Sequence, residues 1–212
     1  MTRPELQRIT SAGAKYPGTW LTVIPSTYDL LLKDNAMSIA ARLRLGLVLQ
    51  DGLPTRCGCG KVDLSCTNSD HLLCCQYVRR TGVTARHDAV VRAVAKALKK
   101  AGGLVLIEKR VLDTVRARPD LDVIIEGRSY LIDIVVTHPS APSKRGVEPL
   151  SAAIDSEAQK VEHYQAVAQV RGAVVLGFAL ETFGAFGPQA IKVLKLLEQA
   201  GSGRYSVCLA RA

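Results

Sequence analysis

The sequence predicts an α/β fold: a mixed sheet flanked by helices in the order α-β-β-β-α-β-α, behind an N-terminal helical segment and a small cysteine-histidine motif. Three observations predict it. Apolar residues recur with helical spacing over 88–101 and 188–200. The period shortens to β-type runs at 104–108, 121–126 and 129–136. The stretch AVVLGFAL (173–180) is apolar throughout, as in a strand covered on both faces.

Residues 1–56 form the N-terminal segment. Within it, AMSIAARLRLGLVLQ sets Ile39, Leu43 and Leu47 on one helical face beside Arg42 and Arg44, and DGLP at 51–54 closes the pattern. Residues 57–80 hold the cysteine-histidine motif, and 81–212 the α/β core. In the core, Val90, Val91, Val94, Ala95 and Leu98 make the buried stripe of a helix from Asp88 to Ala101, with Lys96, Lys99 and Lys100 facing out and Gly102-Gly103 as its stop. Gly127-Arg128 is the expected hairpin turn between the second and third strands. A Pro/Ser/Lys-rich loop leads to a helix over about 150–169. The last helix has Pro188 in its first turn, and SVCLA (206–210) reads as a final strand.

The chain has 212 residues, 48% hydrophobic and 22% charged, enough for one core with a small appendage. No apolar run reaches the roughly 18 residues that span a bilayer. The start, MTRPELQRIT, lacks the apolar region of a signal peptide, so an intracellular protein is expected. The formal net charge of +9 favours a polyanionic partner, nucleic acid above all, while aromatic residues at 5% argue against a base-stacking platform for single strands.

Two features carry chemistry. The first is a set of acids among β-branched residues. Asp120 follows Pro119, Asp133 lies in the neighbouring strand, and with a turn at Gly127-Arg128, Asp122 faces Asp133. Glu108 ends the preceding strand, so three carboxylates are expected at one sheet edge. Like charges at a buried position repel, and each costs several kcal/mol to desolvate. A hard divalent cation, Mg²⁺ or Mn²⁺, offsets that cost through oxygen ligands from Asp120, Asp133 and Glu108. Taken singly, Asp120 reads as a turn residue after proline and Asp133 as an edge-strand residue facing water. Glu157, Lys160 and Tyr164 share one face of the following helix, where Lys160 is either aimed at Asp133 or a solvated helix lysine. Arg86, Arg118, Lys144 and Arg145 are the candidate phosphate contacts. His87, at a helix start, reads as a cap or packing residue.

The second is a cluster of five cysteines within nineteen residues. Cys57, Cys59, His71 and Cys75 give C-x-C…H-x3-C, a soft tetrahedral set suited to structural Zn²⁺. Cys74 and Cys66 compete for the fourth position.

The ordered motifs CGCG (57–60), DHLLCC (70–75), RHDAVV (86–91), a strand ending in Glu108, RPD (118–120), IDIVV (132–136), EAQKVEHY (157–164) and ETFGAFGPQA (181–190) resemble the C-terminal region of site-specific non-LTR retrotransposon proteins. The likeness runs from about Arg42 to Ala200. That region carries a zinc knuckle and a restriction-like endonuclease of the PD-(D/E)xK kind. The resemblance implies that Asp120 and Asp133 hold the catalytic metal, that Lys160 is a displaced catalytic lysine (Val135 stands where the pattern has lysine), and that Tyr164 is the tyrosine trailing it. It also implies a nuclear protein that nicks DNA to leave a 3′ hydroxyl for target-primed reverse transcription. RNA and a reverse transcriptase segment outside this chain would be further partners, and no membrane is involved. Two other readings fit the same residues: a non-catalytic, zinc-scaffolded nucleic-acid-binding module, and a junction-resolvase-like nuclease.

Overall fold

The computed structural model describes residues 1–22, 28, 31–64, 69–78, 82–108, 118–141, 143–144 and 148–200. The expected strand at 206–210 lies outside them. The molecule is mixed α/β, with five α-helices and a four-stranded mixed sheet among the described residues.

The N-terminal segment holds two helices. Helix α1 (Arg3–Ala12) opens with a capping box, in which the Thr2 N–H donates to the Glu5 carboxylate at 2.6 Å. Sequence patterning leaves this stretch unassigned because its buried positions are Gln7, Ser11 and Ala12. Helix α2 (Asp34–Leu45) ends at Gly46, whose left-handed φ of 72° stops it, so Leu47 falls outside the expected face. This segment rests on the core: Tyr16 meets Phe186 edge-on at 6.1 Å, and Ser140 donates to Gln7.

Helix α3 (Thr84–Lys100) starts one turn before the expected Asp88 and buries Val91, Val94, Ala95, Ala97 and Leu98. Strands β1 (Leu104–Ile107), β2 (Leu121–Ile125) and β3 (Arg128–Thr137) form an antiparallel meander. Helix α4 (Ser151–Arg171) then crosses over so that β4 (Val174–Glu181) runs parallel to β3. Helix α5 (Pro188–Ala200) is the last element among the described residues, with the bounds its sequence predicts. One face of the sheet packs on α3 and α5 through residues such as Leu98, Val123, Ile132, Phe178 and Leu197. The other face lies under α4, where Leu131 meets Tyr164, Val167 and Ala168.

The hairpin register differs from expectation. Ile125 pairs with Arg128, so Glu126 and Gly127 are the turn, with φ of 50° and 72°. Positive φ at both central residues is the signature of type I′, whose twist matches that of the flanking strands. The shift places Asp122 opposite Leu131 rather than Asp133. Continued by one residue, the same register sets position 120 opposite Asp133, so the aspartate after the proline, not the one within the strand, meets the β3 acid.

Glutamate at positive φ is strained, whereas asparagine tolerates this region. Glu126→Asn is expected to raise the unfolding free energy by about 0.5–1 kcal/mol, read as a higher urea midpoint at unchanged slope. A lower midpoint would contradict the turn assignment.

Candidate functional site

The β2–β3 ladder stops at Pro119. Position 119 falls opposite Ile134 in the continued register, and proline has no N–H to donate there. The Ile134 carbonyl is left without that donor, and side chains serve both backbone groups of Ile134. Its N–H donates to Asp120 Oδ2 at 2.6 Å, and His87 Nε2–H donates to its carbonyl at 3.0 Å. His87 Nε2 is also 3.3 Å from Asp120 Oδ2. Asp120 is thereby fixed at the end of the ladder facing Asp133.

Asp133 is 4% exposed, and its Oδ1 pairs with Lys160 Nζ at 2.6 Å. Lys160 reaches it because α4 lies unusually close to the sheet. Gly177 is the β4 neighbour of Asp133, and a Cβ there would stand 2.7 Å from the Glu157 Cα. Glu157 is buried, and its carboxylate accepts the N–H groups of Gln189 and Ala190 at the start of α5, both at 2.9 Å. Burial pushes its pKa up, against the pull of those N–H groups. Glu157 thus ties α4 to α5, and Lys160, one turn on, is set above Asp133.

Tyr164 donates to the Arg118 carbonyl at 2.9 Å. Burial raises the phenol's pKa, and the Asp133 charge beside it adds to the rise, so the hydroxyl stays protonated. Tyr164 therefore braces the segment before Pro119.

Asp120, Asp133, Lys160 and Tyr164 are brought together, and other expected members are not. Asp122 lies under the far end of α4, where Arg171 pairs with it at 2.7 Å. Glu108 adjoins Asp120 only through its backbone, its N–H donating to the Asp120 carbonyl at 2.9 Å, while its side chain is exposed. Among the described residues it does not join the aspartates in a cluster of three close ligand atoms. Arg86 turns inward, donating to the Leu73 carbonyl at 2.8 Å, and burial lowers its pKa. Lys144 donates to Ser156 Oγ at 2.9 Å. Arg118 is exposed beside the site, and Arg145 lies outside the described residues.

His87 is the site residue that sequence reasoning assigned to capping. Its ring nitrogens both face acceptors, Nε2 as above and Nδ1 toward Asp88 at 3.2 Å, which fits the imidazolium. Its pKa is pushed up to about 9, mainly by Asp120, with further support from Asp88 and the Ile134 carbonyl. The available signal was position: a helix starting before Asp88 turns residue 87 toward the end of the β2–β3 ladder.

The second cluster forms as expected. Ligand atoms of Cys57, Cys59, His71 and Cys75 all lie within 4.8 Å of one another. Cys57 and Cys75 sulfurs are 3.6 Å apart, and Cys59 Sγ is 3.3 Å from His71 Nε2. Three thiols and an imidazole at this spacing are a donor set suited to zinc in a closed, structural site. The Lys61 N–H is the largest of the influences that lower the Cys59 pKa, to about 6, which favours the thiolate a metal needs. Gly58 allows the turn to close, since a Cβ there would stand 2.4 Å from the Tyr77 ring. Cys74 points instead at the His71 carbonyl, 3.5 Å away, and Cys66 lies outside the described residues.

This loop is fastened to the core at two points. Arg86 holds Leu73, between the ligands His71 and Cys75. His138 is buried at the end of β3, where Nδ1 lies 2.7 Å from Thr182 Oγ1 and Nε2 lies 3.6 Å from Asp70.

No protein-family model matches the chain, and no curated protein matches its sequence. The site is therefore read from its own geometry.

Zinc loading is expected at one ion per chain, measured by atomic emission on protein purified without chelator. Cys74→Ser should keep the zinc, and His71→Ala should lose it; the reverse pattern would reassign the ligands. A second expectation concerns His87. A raised folded pKa stabilises the fold fully below the ordinary value of about 6.5 and is lost as pH climbs through about 9. In the metal-free protein, nuclear magnetic resonance should show this imidazole titrating near the upper value, and Asp120→Asn should bring it back toward the ordinary range. An unmoved titration in that variant would refute the pairing.

Proposed function

We propose that the chain is a metal-dependent DNA endonuclease with a PD-(D/E)xK-like core, which hydrolyses one phosphodiester strand and leaves a 3′ hydroxyl. The observation that carries this reading is the Lys160–Asp133 pair at 2.6 Å, with Asp120 opposite Asp133 at the end of the broken ladder. Two carboxylates and an ammonium converge there from three elements that share no local sequence. A structural role alone does not call for an acid pair and a lysine at the point where the sheet gives up its own hydrogen bonds.

The residues fit Mg²⁺ or Mn²⁺ because they offer hard oxygen donors from two facing acids. Asp120 and Asp133 would hold the ion, which supplies Lewis-acid stabilisation of the phosphoryl oxygens and acidifies a water. The contacts of Asp120 with Ile134 and His87 both use Oδ2, which would leave Oδ1 as the ligand oxygen. Lys160 places a positive charge where the attacking water and the developing phosphorane charge meet. Tyr164 keeps the strand entering Pro119 in place through the Arg118 carbonyl, and the exposed Arg118 side chain is the phosphate contact nearest the site. The net charge of +9 supports a DNA partner.

The order of motifs supports a more specific reading. The cut would be the priming nick of a site-specific non-LTR retrotransposon, made in the nucleus, with RNA and a reverse transcriptase segment as partners. Among the described residues no helix is long and apolar enough to cross a membrane.

The test is nicking of supercoiled plasmid in Mg²⁺ and in Mn²⁺ by the full chain. Asp133→Asn and Asp120→Asn should abolish nicking, and Lys160→Ala should slow it by about 10²-fold or more, each without loss of zinc or fold. Wild-type protein that binds DNA but never nicks it would leave only the zinc-scaffolded binding module. Strong preference for four-way junctions over linear duplex would move the assignment to a junction resolvase.

A further inference from the structure

We propose that His87 is a positioning residue for Asp120, and that the Cys/His loop holds it in place through the adjacent Arg86. The inference rests on the reading that Asp120 and Asp133 bind a divalent cation.

Asp120 sits outside the last residue pair of the ladder, where nothing in the strand itself fixes its carboxylate. Two contacts fix it: the Ile134 N–H at 2.6 Å and His87 Nε2 at 3.3 Å, both on Oδ2. His87 also takes the Ile134 carbonyl at 3.0 Å, so one imidazole grips the same residue whose N–H holds the acid. The effect is to choose which carboxylate oxygen faces Asp133. Without His87 the carboxyl has a single hydrogen bond and is free to rotate about it, presenting its ligand oxygen in several directions.

His87 needs an anchor of its own because it lies in the first turn of α3, where helices fray. Helix α3 has no side-chain cap, and its N-cap position is Val83. The neighbouring Arg86 supplies the anchor. Its guanidinium passes to the Leu73 carbonyl, within the loop that carries His71 and Cys75. Two consecutive side chains on one helical turn therefore reach in different directions, Arg86 to the Cys/His loop and His87 to the acid. This is a short rigid path from the first metal cluster to the second, and it makes the Cys/His loop part of the nuclease site.

The experiment measures Mn²⁺ binding by isothermal titration calorimetry and by electron paramagnetic resonance, on the full zinc-loaded chain. Variants are His87→Ala, His87→Gln, Arg86→Met and Asp120→Asn. Partners that orient a metal's ligands change its affinity about 10- to 100-fold, so His87→Ala should weaken Mn²⁺ binding by about tenfold, measured below the variant's melting temperature, which loss of the donor to the Ile134 carbonyl should lower. His87→Gln, whose amide N–H substitutes for Nε2–H, should recover most of that loss. Arg86→Met keeps the apolar stem and should weaken binding in the same direction as His87→Ala. His87→Ala protein that binds Mn²⁺ like wild type would overturn the proposal, as would weakening that glutamine does not rescue. Wild-type protein with Asp120-dependent Mn²⁺ binding but no nicking would end the nuclease assignment while leaving the positioning role intact. Wild type with no Asp120-dependent Mn²⁺ site would overturn both.

Discussion

The absence of one N–H group, at Pro119, organises this molecule. A ladder that continued past Leu121 would satisfy Ile134 with backbone from position 119. Proline withdraws that donor, and a buried carbonyl or amide left alone costs about 1–3 kcal/mol. His87 supplies the missing donor to the Ile134 carbonyl, and the Asp120 carboxylate accepts the Ile134 N–H. The repair sets a carboxylate opposite Asp133, in a position a regular strand would fill with backbone. The proline and the aspartate after it therefore act as one device: the first breaks the ladder and the second occupies the break.

The other half of the site depends on how closely a helix approaches a strand. Helix α4 comes against β4 where Gly177 has no side chain, and Glu157 fills the space that Gly187 leaves open. A larger residue at 177 would lift the helix and carry Lys160 away from Asp133. In this chain the lysine beside Asp133 comes from the helix, and Val135 occupies the strand position two residues after the acid. Lys160 also answers the cost of a 4% exposed carboxylate at Asp133, since an unpaired charge at that depth is strongly unfavourable.

These arrangements were legible in the sequence to different degrees, for physical reasons. The order of core elements and the bounds of α5 followed from periodicity, because Val193, Leu194 and Leu197 are wholly apolar on the buried side. The Cys/His set followed from ligand spacing, and the structure selects Cys75 over Cys74 because Cys74 is turned onto the His71 carbonyl. The Asp120–Asp133 and Lys160–Asp133 relations were also visible, the first for partly the wrong reason. The expected turn, Gly127-Arg128, put glycine first, whereas here glycine takes the second central position and glutamate bears the first positive φ. That difference of two residues moved Asp122 out of the site. Helix α4 hid its inward face, which carries Ser156, Glu157, Lys160 and Tyr164 among its small apolar residues, so hydropathy alone gives it no clear side. His87 and Arg86 were visible as residues but not as directions, because one turn of helix before Asp88 decides where each points.

The Cys/His loop raises a question of economy that its contacts answer. Among the described residues this loop buries chiefly Leu64 with Cys57 and Cys75, and a metal held by its four donors would supply much of its order. Such a loop serves well as an independent finger only if it is free to move. Here it is held on both flanks of the sheet's working end, by Arg86 from α3 and by buried His138 at the end of β3. Burial keeps the pKa of His138 down, against the pull of Asp70, and in the neutral ring Nδ1 accepts from the Thr182 hydroxyl while Nε2–H faces Asp70, which adds no charge to an already basic protein. The loop acts as a buttress, and the groups it braces are the first turn of α3 and the exit of β3, the two backbone segments that define where Asp120 and Asp133 stand.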